Sequence, residues 1–125
     1  MVKDRRAFQR IDGIVNVRYG VKDRDKEKIE TLPRDIGGGG LGLCITEELQ
    51  RGTILDLEIT LPDNPEKTIL GAGEVKWSKE FGAIDLKRSI NLYETGIRFI
   101  NINSIAIGRV YAYSRQKKAD NPAKL

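Results

Sequence analysis

A chain of 125 residues with 39% apolar side chains can bury one modest core, so one small domain is expected rather than two. Its 22 Lys and Arg against 18 Asp and Glu leave a net charge of +4, which favours an anionic partner such as a nucleotide, a nucleic acid or an acidic protein face. With no histidine and a single cysteine, Cys44, an internal disulfide is impossible, a structural zinc site is not expected, and the commonest general base is missing.

Residues 1–12 are polar and basic, with no apolar stretch behind Met1 to Arg6 that would make a secretory signal. They read as a mobile or loosely helical lead-in. Gly13 to Gly20 reads as a strand, with Val15, Val17 and Tyr19 alternating. Residues 21–28 are a charged connection, and Ile29 to Ile36 forms a second strand made irregular by Pro33. After the glycine run 37–40, Leu41 to Thr46 is a third strand, and Gln50-Arg51-Gly52 turns the chain. Thr53 to Leu61 shows the cleanest alternation, through Leu55, Leu57, Ile59 and Leu61. Pro62 to Pro65 is a turn by composition. Thr68 to Ser78 is the next strand, with Val75 and Trp77 on one face. A loop is expected over 79–89, and Ile90 to Ile102 is the last extended stretch. From Asn103 to Lys118 the period becomes helical, with Ile107, Val110 and Tyr111 on one stripe and Asn103 or Ser104 as N-cap. The tail 119–125, with Pro122, is expected to be disordered. Short strands followed by one helix predict an all-β antiparallel barrel with a C-terminal α-helix, closed to protect its edges. No apolar run approaches the roughly 18 residues a membrane helix needs, and a lone thiol fits a reducing cytoplasm.

Two clusters carry the chemistry. Arg5, Arg6 and Arg10 offer forked donors for phosphate oxygens and for the Hoogsteen edge of guanine. Asp35 can accept from guanine N1–H and N2–H, and the glycines from Gly37 to Gly40 let a flat ligand approach the backbone. Four consecutive glycines exceed what a turn needs, which points to close approach by a ligand or a neighbouring strand. Arg98 is either a ligand contact or an exposed strand residue. Trp77 reads as core or rim packing, and Cys44 as a small buried hydrophobe.

Arg6-x-x-x-Arg10, two strands, then Asp35-x-Gly37-x-x-Gly40 resembles the PilZ domain family, whose motifs are Arg-x-x-x-Arg and Asp/Asn-x-Ser-x-x-Gly. Gly73-Glu74-Val75-Lys76-Trp77 and Tyr93-Glu94-Thr95-Gly96-Ile97-Arg98-Phe99 resemble later strands of the same family. The one departure is Gly37, which stands where the family has serine. The resemblance implies a six-stranded antiparallel barrel spanning 13–118 with its closing helix, and a flexible ligand-binding segment at 1–12. It implies a cytoplasmic receptor for cyclic di-GMP with no cofactor, no catalytic residues and no metal. Arg6 and Arg10 would wrap over the nucleotide, Arg5 would join them, and Asp35, Gly37, Gly38, Gly40 and Arg98 would complete the site. Ordering the lead-in would signal to a downstream protein partner in motility, biofilm or polysaccharide control. Two other readings stand beside it. One is a degenerate PilZ-like interaction module that has lost the nucleotide. The other, disfavoured by the scarcity of strand aromatics, is a small nucleic-acid-binding barrel.

Overall fold

The computed structural model describes residues 9–10, 15–61, 64–85 and 90–119. Alternating side chains build most of it. In β6 (Ile54–Leu61) the residues Leu55, Leu57 and Ile59 are buried while Asp56 faces solvent. In β2 (Asn16–Val21), Val17 and Tyr19 do the same, and the two strands pair antiparallel with Val17 opposite Ile59 and Tyr19 opposite Leu57.

The other segments are β1 (Gln9–Arg10), β3 (Ile29–Glu30), β4 (Leu32–Ile36), β5 (Gly40–Ile45), β7 (Asn64–Asp85) and β8 (Ile90–Asn101). Among the described residues, eight segments form one antiparallel sheet in the order β1-β4-β5-β8-β7-β6-β2-β3. β3 and β4 are a single run of chain broken only at Thr31, so the far end of that order returns to its beginning and the sheet curls into a barrel. Thr31 itself ties the seam, its amide and hydroxyl both donating to the Val17 carbonyl at 3.1 and 2.9 Å. The fold is therefore the expected all-β antiparallel barrel with a C-terminal helix. The strand count differs from six because the 29–36 run is split and because β1 adds a short pair to β4. The irregularity expected at Pro33 is a register shift between Pro33 and Asp35.

Several local expectations are corrected. The predicted loop over 79–89 is not one through residue 85: β7 continues to Asp85, paired with β8 from Lys79 opposite Glu94 to Asp85 opposite Ile90. Bulges interrupt that pairing, so the segment lacks the regular alternation by which a strand is read. Gln9 and Arg10 are strand rather than helix, opposite Ile36 and Asp35. Residue Asn64, placed in a turn by composition, already begins β7, while residues 62–63 lie outside the described residues. Residues 13–14 of the first predicted strand and 120–125 of the predicted tail also lie outside them.

The core runs through the barrel and under α1 (Ser104–Ala119), with Ile107 and Val110 joining Leu43, Leu55, Val75 and Ile97 in one buried cluster. Tyr111 and Tyr113 pack against it from the helix. Asn103 is the N-cap, its Oδ1 accepting from the Ala106 amide at 2.9 Å. Arg51-Gly52 turns the chain with Gly52 at φ +94°, a conformation suited to glycine. The predicted buried Cys44 is buried, with Arg34 Nη1 at 3.9 Å from its Sγ.

Away from the glycine-rich strands, a polar cluster closes one part of the barrel. Tyr19 is buried and its hydroxyl donates to Glu47 Oε2, while Arg24 Nη1 meets the same oxygen at 3.1 Å. Burial and then the Glu47 hydrogen bond raise the Tyr19 hydroxyl far above the usual phenol range. Burial works against the Glu47 charge, but hydrogen bonds from Tyr19 and Arg24 outweigh it and hold the carboxyl below its ordinary value.

Candidate functional site

The register lines up four residues across the outer surface of the barrel. Asp35 on β4 lies opposite Gly42 on β5, Gly42 lies opposite Gly96 on β8, and Gly96 lies opposite Trp77 on β7. Residues directly opposite in antiparallel strands share a face. The row is thus a carboxylate, two bare backbone positions and an indole. Three inter-strand gaps make it roughly 14 Å long.

A side chain at either glycine would have to displace its neighbour. A Cβ on Gly42 would stand 2.7 Å from Asp35 Oδ1, and one on Gly96 would stand 2.3 Å from Trp77 Cε2 and Nε1. The carboxylate and the indole therefore each lean over a glycine. Above this floor is a groove of about 410 Å³, lined by Asp35, Gly40, Gly42, Lys76, Trp77 and Arg98 among others.

Of the two placements expected for Trp77, core or rim, the structure gives the rim. It is 47% exposed, whereas Val75, two residues earlier, is fully buried. Simple alternation puts the two on one face. A bulge between Val75 and Trp77 inserts Lys76 and turns the indole to the outside.

The glycine run divides by role. Gly37 donates its amide to the Gly40 carbonyl at 2.9 Å and so closes the hairpin between β4 and β5. That amide is engaged within the hairpin, so any backbone contact from Gly37 to a ligand falls to other atoms. Gly38 is exposed at the hairpin tip and does not line the groove. Gly40 lines it, but its lack of a side chain answers a neighbouring strand: a Cβ there would fall 2.1 Å from the Ile97 carbonyl oxygen. Of the two causes of close approach foreseen for the run, the strand accounts for Gly40.

Arg98 is exposed and lines the groove. It lies between Gly40 on one side and Glu74 on the other. Its Nη2 donates to Glu74 Oε1 at 3.0 Å, and Lys76 Nζ is 4.0 Å from the same oxygen. The Arg98 hydrogen bond first, and the Lys76 charge second, hold the Glu74 carboxyl below the usual carboxylate range.

Arg10 stands at the register position opposite Asp35, which brings the basic N-terminal strand to the carboxylate end of the row. Arg5 and Arg6 lie outside the described residues. The structure therefore brings together Asp35, Gly40 and Arg98, with the Arg10 backbone beside them. Sequence reasoning missed Gly42, Gly96, Lys76 and Trp77 as groove residues. Gly42 and Gly96, each inside a strand, are a signal for close approach. Among the described residues, no group of acidic or cysteine side chains could hold a metal, and no helix is long and apolar enough to cross a membrane.

A curled antiparallel barrel with a closing helix and a glycine-floored outer groove places the chain among small all-β domains. Within that class the chain belongs to the PilZ domain family, whose profile matches residues 4–116. Among solved structures the fold is similar to the PilZ domain of YcgR from Escherichia coli, solved with c-di-GMP, at 18% identity and TM-score 0.71, covering 97% of this chain and 99% of that one. It is also similar to MrkH of K. pneumonia, at 17% identity and TM-score 0.72 over 97% of this chain and 53% of that one. A third similar structure is the inhibitor of motility MotI/DgrA of Bacillus subtilis, at 20% identity and TM-score 0.63 over 90% of this chain and 51% of that one. The chain thus spans about half the length of the latter two. No curated protein matches the sequence.

Proposed function

We propose that this protein is a cytoplasmic receptor for cyclic di-GMP that works by binding and not by catalysis. The observation that carries the reading is the cross-strand row from Asp35 to Trp77 over Gly42 and Gly96. In the groove the Asp35 carboxylate can accept from the N1–H and N2–H of a guanine, and the exposed Trp77 indole offers a face on which a base can stack. The YcgR domain, similar over nearly its whole length, was solved with this ligand.

The N-terminal segment 1–12 supplies the remaining contacts. Arg6 and Arg10 close over the nucleotide, each guanidinium taking a phosphodiester oxygen pair or the O6/N7 edge of guanine, with Arg5 beside them. β1 delivers Arg10 to the strand that carries Asp35. Gly40 keeps the groove wall low, and Arg98 stands ready at its edge. Fixing this segment against the barrel creates or removes a surface for a downstream protein partner, with residues 13–118 as the rigid body.

Calorimetric titration with cyclic di-GMP, with cyclic di-AMP and GTP as controls, tests the reading. Saturable heat with the guanine dinucleotide, lost in Arg6→Ala and Arg10→Ala, is the expected result. No heat at tens of micromolar ligand would instead support a PilZ-like interaction module that has lost its nucleotide.

A further inference from the structure

Among the described residues, two cations line the groove wall, Arg98 and Lys76, and both approach one carboxylate oxygen, Glu74 Oε1, at 3.0 and 4.0 Å. Arg51 adds a third positive charge to the field around Glu74. We propose that Glu74 is a built-in competitor for the ligand phosphodiester, holding Arg98 and Lys76 in the empty protein and yielding them when the nucleotide arrives. The inference rests on the cyclic di-GMP reading of the groove.

The register explains how such an exchange can work. Arg98 has Gly40 as its neighbour on β5 and Glu74 as its neighbour on β7. Gly40 has no side chain to hold it, so the guanidinium is drawn to the β7 side. Gly40, Gly42 and Gly96 add no side chains of their own to the groove, over which the Asp35 carboxylate and the Trp77 indole lean. A phosphodiester carries one negative charge over two free oxygens. It matches the arginine fork better than a carboxylate oxygen shared between two cations. Neither side of the exchange is locked by burial. The Arg98 side chain is 58% exposed and that of Glu74 25%, and exposed ion pairs are weak enough to be swapped.

The exchange also sets a threshold. A ligand must bring an anion that displaces Glu74, so a neutral nucleoside gains the guanine contacts but not the two cations. Glu74 thereby raises selectivity at the expense of affinity.

Glu74→Gln removes the negative charge while keeping the size of the side chain. Calorimetry should show cyclic di-GMP binding about two- to fivefold tighter, the range expected for freeing cations from one exposed ion pair. Affinity should also fall more steeply with added salt, because two unpaired cations now contribute fully. In an Arg98→Ala background the same substitution should give a smaller gain. Wild-type binding with equal or weaker binding by Glu74→Gln would overturn this inference alone, as would an undiminished gain without Arg98. No binding by the wild type would overturn both the inference and the reading on which it rests.

Discussion

Replacing Gly96 with alanine tests the groove floor directly. The added Cβ would lie 2.3 Å from Trp77 Cε2 and Nε1 and 2.8 Å from Cζ2. Non-bonded carbons rest at about 3.5–4.0 Å, so the indole must retreat by more than about 1 Å. It can do so because it is half exposed. Overpacking of this kind costs about 1–3 kcal/mol, partly offset by about 0.5–1 kcal/mol from replacing glycine within a strand. A net loss of about 1–2 kcal/mol lowers the melting temperature by roughly 4–8 °C in a domain of this size. Trp77 is the single tryptophan, so its emission reports the displacement without a label. The expected outcome is a folded protein with a shifted emission maximum. Cyclic di-GMP affinity should fall about 5- to 150-fold, the value of one lost base–aromatic stack. An unchanged emission maximum would refute the steric argument. A shifted maximum with full affinity would refute the role of Trp77 in binding.

Gly40→Ala should behave differently, because its Cβ would meet a backbone oxygen at 2.1 Å rather than a side chain that can lift. Separation of β5 from β8 is expected, seen as loss of the cooperative melt or as insoluble expression. Tyr19→Phe should cost about 1.5–3 kcal/mol in urea unfolding at pH 7, the value of a hydrogen bond to a charged group. The wild type should show pH limbs that this variant flattens. Glu47 titrates below its ordinary value in the fold, so its contribution is present above that value and is lost as pH falls through the folded one. The Tyr19 hydroxyl is raised, so its contribution is full below about pH 10 and declines as pH rises beyond it. Gly37→Ser returns the family's hydroxyl, and calorimetry should find cyclic di-GMP bound as tightly or more tightly. A clear loss would show that the hairpin closed by the Gly37 amide tolerates no side chain.

The barrel was legible wherever one face of a strand is buried and the other is wet. Leu55, Leu57 and Ile59 announce β6 because each alternate residue must leave water. The irregularity at Pro33 was legible, but the bulges of β7 were not. A bulge adds one residue without a compositional mark, and the one before Trp77 takes that indole off the face it was expected to share with Val75. The same effect hid the second half of β7. The glycines inside β5 and β8 announced close approach, but only the register says that the approaching groups are Asp35 and Trp77. The Glu74–Arg98 pair joins residues 24 positions apart, and no local pattern could have matched them.

The split strand through Thr31 has a consequence for how the molecule comes apart. An open sheet frays from its outermost ribbons and can lose them while its middle survives. Here the run 29–36 clasps β2 with its first residues and β5 with its last, so detaching either neighbour pulls on the same short cord. Denaturation should therefore run as one all-or-none event, and chain cleavage near Thr31 would release both flanks together.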